Sequence, residues 1–181
     1  MTMVCPSRTA TFVVDERVAN TGRPDASYAL AGGFELIQAC DIVIAAENAR
    51  LGDQHAGFWM IPGGGGTQRL PLIVGQHRAK DLLFSGRWLT GREAERFGLI
   101  SRAVPLEDLE QTVSELVRTL CQKSPVCLGK MKQLVHHPLK QTIRDGLKYE
   151  QKVFLEYMQT PSALEGLKAF TEKRAPNVVR I

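Results

Sequence analysis

The stretch Tyr28–Gly52, YALAGGFELIQACDIVIAAENARLG, carries three signals in a fixed order. An extended segment meets the pair Gly32-Gly33. Phe34 and Ile37 then recur at helical spacing, with Cys40 a turn further on, and CDIVIAA reads as a buried strand because it is short, continuous and β-branched. Extended segment, glycine pair, helix and strand in close succession predict a mixed α/β fold. Gly32 and Gly33 at a helix start expose backbone amides where the helix dipole is positive, suited to an anion or a developing oxyanion. The same two glycines also suit a plain tight turn. Glu35 falls in the first turn, where an acidic side chain favours the dipole by a few tenths of a kcal/mol.

Further along lies LGDQHAGFWMIPGGGGTQRL, Leu51 to Leu70. Gly63 to Gly66 permit positive φ and close approach of a ligand or another backbone, and Thr67-Gln68-Arg69 begins a helix. The spacing matches neither G-x-G-x-x-G nor G-x-x-x-x-G-K-[ST], so nucleotide-loop readings fail. His55 taken alone reads more often as a satisfied core or surface histidine than as a catalyst. Asp53, two residues earlier, is not read as its partner, because spacing alone does not license an Asp-His dyad.

The texture changes near residue 100, which divides the chain into a core over 1–104 and a helical region over 105–181. Leu106, Leu109, Val113, Leu116, Val117 and Leu120 outline an amphipathic helix. Ser124-Pro125 opens a second, which His136, His137 and Pro138 end. Ile143, Leu147, Phe154 and Met158 mark a third, and Thr160-Pro161 caps a last one carrying Leu164, Leu167 and Phe170. Such helices need a surface to pack on, either the core or another subunit.

The 181 residues are 44% hydrophobic with net charge +4, a composition for a folded chain with a mild preference for anionic partners. No apolar run approaches the roughly 20 residues that span a bilayer. The N-terminus does not read as a secretory signal. Cys5, Cys40, Cys121 and Cys127 show neither metal-ligand spacing nor a disulfide framework, so reduced thiols in the cytoplasm are expected and no metal is assigned.

Taken together, Tyr28–Gly52, IPGGGGTQRLPLIVG (Ile61–Gly75), LLFSGRWLTGREAERFGLISRAVP (Leu82–Pro105) and EGLKAFTEKRAP (Glu165–Pro176) resemble the crotonase superfamily, the enoyl-CoA hydratase/isomerase family. The resemblance implies a spiral of ββα units with a C-terminal helical oligomerisation region, assembled as a homotrimer or dimer of trimers. It implies an acyl-CoA substrate, coenzyme A entering as part of that substrate, and no separate cofactor. Membrane and nucleic-acid partners are not expected. Gly32 matches one of two backbone amides that polarise the thioester carbonyl, and losing such a donor typically costs about 10²–10³ in rate. Glu35 matches the first of two catalytic glutamates. Gly63 matches the position whose amide orients the water, and Phe170 and Lys173 in the final helix match the element over a neighbouring subunit's CoA nucleotide.

The sequence departs from the family at two places. His55 stands where the second glutamate is expected. Imidazole, with a reference pKa of about 6.5, can hold a water as a base or deliver a proton. That substitution suits hydration and equally thioester hydrolysis, isomerisation, decarboxylation or carbon–carbon cleavage. Only 27 residues precede Tyr28, fewer than the family carries, and only Asp25, Ala26 and Ser27 separate Pro24 from Tyr28. The chain therefore reads either as shortened at its N-terminus or as lacking segments near that junction, and the second oxyanion donor is not assigned. The leading reading is an enoyl-CoA hydratase-like lyase. The alternatives are another crotonase reaction or a noncatalytic acyl-CoA- or RNA-binding member.

Overall fold

The computed structural model describes residues 12–13, 28–136 and 142–177. Cys5, the expected N-terminal shortening, the Pro24–Tyr28 junction and the His137-Pro138 helix stop lie outside the described residues. The chain forms two compact units that divide between Glu115 and Leu116.

In the first unit, β1 (Phe12–Val13), β3 (Ile42–Ala46) and β6 (Arg102–Val104) form one parallel sheet with β3 in the middle. A second sheet holds β2 (Tyr28–Leu30), β4 (Arg50–Gly52) and β5 (Leu89–Thr90); β2 runs parallel to β4, and β5 antiparallel to it. Strands β2 and β3, in different sheets, are joined by α1 (Gly32–Ile37); α2 (Gly66–Val74) and α3 (Gln76–Ser85) lie between β4 and β5 of the second sheet, and α4 (Gly91–Arg96) leads from β5 back to β6 of the first. The central place of β3 agrees with its unbroken apolar sequence: Val43 to Ala46 are all buried. Phe34 of α1, Leu51 of β4, Leu70 of α2, Leu82 of α3 and Leu89 of β5 are fully buried. Each such side chain contributes roughly 1.5–3 kcal/mol relative to exposure.

Two helix boundaries have local causes. Helix α1 stops at Ile37, short of Cys40, because Ala39 and Cys40 donate their amides to Leu36 and Ile37 in i→i−3 bonds. Helix α4 starts with a capping box. Thr90 Oγ1 accepts from the Glu93 amide, and the Glu93 carboxylate accepts from the Thr90 amide and hydroxyl, which holds Glu93 below the usual carboxylate range.

The chain opens its helical part with a 3₁₀ turn over Leu106–Asp108 and α5 (Leu109–Cys121), so the expected helix from Leu106 begins as a tighter turn. In the second unit, α6 (Pro125–His136), α7 (Ile143–Met158) and α8 (Pro161–Thr171) pack against one another. The N-caps of α6 and α8 are the ones the sequence signals, and that of α7 is Thr142. Ser124 accepts from the Cys127 amide and Thr160 from the Ala163 amide, while Thr142 does the same for Asp145. Val153, Ala163 and Ala169 are buried, whereas Ile143, Phe154, Leu164 and Phe170 are exposed within the single chain. Mutual packing therefore covers only part of the apolar stripes.

Helix α8 ends in a Schellman arrangement: the Lys173 amide donates to Phe170 and the Arg174 amide to Ala169. Lys173 occupies the left-handed position, φ 53°, that glycine usually fills. Beyond it, Arg174 donates from Nη1 (2.7 Å) and Nη2 (3.2 Å) to Glu165, whose Oε1 also accepts from the Asn177 amide at 2.8 Å. The Arg174 guanidinium and the Asn177 amide depress Glu165 from 4.5 to about 2. Because the folded value is the lower one, the clamp's contribution is complete above the unfolded value and disappears as pH falls from 4.5 towards 2. Urea midpoints should fall across that window, and Arg174→Ala should lower the neutral-pH midpoint and flatten the fall.

Candidate active site

Glu35 sits in α1, buried, and its carboxylate reaches the glycine run. Oε1 accepts from the Gly64 amide at 2.7 Å and the Gly66 amide at 2.8 Å. Both amides belong to the turn that opens α2, so the carboxylate closes off donors that the helix ladder cannot satisfy. The glycines have separate reasons to be there. A Cβ at Gly64 would lie 2.8 Å from Glu35 Oε2, and one at Gly66 would lie 3.2 Å from Oε1. Gly65 has φ 104°, and a Cβ there would strike the Arg69 guanidinium. Arg69 folds back to donate to the Gly64 carbonyl at 2.7 Å. A Cβ at Gly63 would meet open space.

This contrast predicts a split between neighbouring variants. Gly64→Ala should displace the Glu35 carboxylate and slow any reaction that the carboxylate serves by about 10²-fold, the usual cost of misplacing a reacting group by about 1 Å. Gly63→Ala keeps its amide and should retain kcat. Steady-state kinetics on the two variants, with thermal midpoints as a folding control, measure the difference.

Gly32 is the first residue of α1, so the helix leaves its amide without an intrahelical acceptor. Ala31 before it has φ 46° and ψ −115°, a conformation that alanine rarely adopts. Its amide donates to Gly52 O at 3.2 Å, and its carbonyl accepts from the Glu35 amide at 3.0 Å. These bonds hold the Ala31-Gly32 peptide in a setting that costs on the order of 1–3 kcal/mol, strain of the kind concentrated at functional sites.

Strand register brings the two halves of the candidate site to one edge. Leu30 of β2 pairs with Gly52 of the parallel β4. Gly32 follows the first strand and Asp53 to His55 follow the second, so both segments leave the same, carboxyl end of the sheet, where α/β proteins place ligands.

Directly after β4 the chain turns, with Gln54 at φ −104° and ψ 2°, into a 3₁₀ turn over His55–Phe58. Asp53, 0% exposed, accepts at Oδ1 from the His55 amide (3.0 Å) and lies 2.9 Å from His55 Nδ1. The structure thus pairs Asp53 with His55, a dyad that spacing alone does not license. Aspartate accepting from the amide two residues on is an Asx-turn, and residues i and i+2 share a face even of an extended chain. The next residues, Phe58, Trp59, Met60 and Ile61, are exposed and apolar, with Trp59 in the left-handed region at φ 57°.

A family model described as enoyl-CoA hydratase/isomerase matches residues 26–179. The chain belongs to this family. It is 40% identical over 151 residues to a probable enoyl-CoA hydratase of Mycobacterium bovis, a match covering 83% of this chain and 59% of that protein. An enoyl-CoA hydratase from Bacillus anthracis superposes with TM-score 0.80 at 38% identity, over 83% of this chain and 58% of that one. One from Geobacillus kaustophilus gives 0.81 at 34% identity, over 84% and 59%. The chain spans somewhat under two thirds of the length of these relatives. The fold is the crotonase fold with a C-terminal helical region, as the sequence resemblance implied.

Within this family member, the structure joins Glu35 to the glycine run through Gly64 and Gly66 rather than through Gly63. It joins His55 to Asp53. Phe170 lies in α8 of the second unit, 84% exposed. Lys173 lies beyond α8 rather than in it, as the positive-φ residue after the helix. Asp53, Gly64, Gly66 and Arg69 were not singled out for these contacts from sequence. An Asx-turn signature was available for Asp53; nothing local announced the Glu35 contacts, which span 29 and 31 residues. Among the described residues, no helix is long and apolar enough to cross a membrane.

Proposed function

We propose that the protein is an enoyl-CoA hydratase-like lyase acting on acyl-CoA thioesters through an oxyanion-stabilised enolate. The observation that carries this reading is the Glu35 carboxylate, buried and held at Oε1 by two backbone amides, at the sheet edge from which Gly32 also emerges. That arrangement leaves Oε2 for proton exchange. In the reaction, Glu35 and His55 handle the water. Its oxygen bonds to C3 of the enoyl group while one O–H bond breaks to a base. The electron pair of the double bond moves through C2 to the thioester oxygen, where the Gly32 amide stabilises it, and a proton delivered to C2 completes the 3-hydroxyacyl-CoA. Gly63 is assigned to water orientation through its amide.

The apolar ridge Phe58–Ile61 next to His55 supports an acyl chain as the substrate's apolar part. The exposed Phe170 and the strained Lys173 support a role over the CoA nucleotide of a neighbouring subunit, in a homotrimer or dimer of trimers. A cation retained where glycine is preferred is the kind of backbone outlier that function accounts for. The test is turnover of a small panel of enoyl-CoA thioesters by the purified chain: appearance of 3-hydroxyacyl-CoA supports the reading, and its absence across the panel refutes it.

The Asp53–His55 contact favours a second reading. A carboxylate-oriented imidazole is suited to driving water onto the thioester carbonyl itself, which would release a free acid and CoA thiol. Free thiol released from saturated acyl-CoA separates this reading from hydration.

A further inference from the structure

We propose that Asp53 is a positioning residue: it fixes His55 as the tautomer protonated at Nδ1 and so leaves Nε2 as the proton-accepting atom. This rests on the reading above, in which His55 handles water. Asp53 Oδ1 lies 2.9 Å from Nδ1 and already accepts the His55 amide at 3.0 Å. A carboxylate oxygen offers only acceptor lone pairs, so Nδ1 must be the donor. In the neutral ring Nε2 then carries the lone pair.

Three features make this more than a turn. The backbone bond alone completes an Asx-turn, and a solvated aspartate would serve it; here the carboxylate is fully buried. Its second oxygen, Oδ2, is buried with no hydrogen-bond partner among the described residues. Such an arrangement costs stability, which a purely structural residue gives no reason to retain. The imidazole is gripped at two points, through its own backbone amide and through Nδ1, so both the position of the ring and its rotation are set. Its side chain keeps 15% exposure, enough for one edge to meet a small molecule.

The test is nitrogen NMR of histidine-labelled protein at alkaline pH, where the imidazoles are neutral, combined with hydration kinetics. The chain has four histidines, and His55→Gln assigns the resonance. Wild type should show Nδ1–H. Asp53→Asn keeps an acceptor oxygen and should keep that tautomer. Asp53→Ala should lose it and lower kcat by about 10²–10³-fold, towards the His55→Gln value, with KM changed by less than about threefold. An Nε2–H tautomer in wild type overturns the proposal, and that spectrum decides alone should Asp53→Ala fail to fold. A lost tautomer with undiminished kcat also overturns it. Neither result touches the hydratase reading, which fails separately if Glu35→Gln keeps full turnover.

Discussion

Glu35→Gln lowers kcat for hydration of a short enoyl-CoA by about 10²–10⁴-fold, the range typical of losing a positioned acid/base. The substitution is nearly isosteric. Glutamine's carbonyl oxygen can take over the role of Oε1, accepting from the Gly64 and Gly66 amides that now lie 2.7 and 2.8 Å away. The glycine turn and the start of α2 therefore keep their partner, and the stability change should stay within about 1–2 kcal/mol, the difference between a charged and a neutral acceptor. What is lost, under the proposed mechanism, is the atom that exchanges a proton. KM should move little, since the carboxylate contributes to the transition state more than to ground-state binding. Kinetics and thermal denaturation on the same preparation separate the two effects.

Gly91→Ala has the largest expected effect on stability. Gly91 is the first residue of α4, directly against the end of β3, and a Cβ there would overlap the backbone carbonyl of Ala46. The obstacle is main chain in the middle strand of a sheet, held between β1 and β6, so it cannot rotate aside as a side-chain terminus can. Relief requires α4 to move away, which breaks the Arg92 amide bond to the Glu47 carbonyl and uncovers Ala94. A loss of about 3 kcal/mol or more is expected, at the upper end of overpacking costs. Chemical denaturation or soluble yield checks it, and a fully stable variant would show that α4 docks otherwise. Gly64→Ala clashes with the end of a side chain instead, which can turn aside where main chain cannot, so its cost to folding should be smaller.

That difference also marks what the sequence can reveal. Strand β3 was legible because β-branched apolar residues in an unbroken run suit a strand covered on both sides. Helices α6 and α8 were legible because serine or threonine precedes proline at their starts. The family could be read from four ordered segments. The use of the glycines was not, because Glu35 and the turn it stabilises meet only once α1 and α2 are placed by the sheets. The short strand β4 was missed, since Arg50–Gly52 is too brief to show alternation. With it went the turn that forms the Asp53–His55 pair. The resemblance placed Lys173 in the final helix, but α8 ends at Thr171 and Lys173 is the left-handed residue by which the chain leaves it.

The central claim is that Glu35, cradled by the glycine amides, adds water to an enoyl thioester. Its most direct test is the reaction of an enoyl-CoA in ¹⁸O-labelled water, followed by mass analysis of the products from wild type and Glu35→Gln. The account predicts 3-hydroxyacyl-CoA carrying one labelled oxygen on the acyl chain from wild type, and almost none from the variant. Labelled free acid with released CoA thiol, or equal labelled hydroxyacyl-CoA from both proteins, would contradict it.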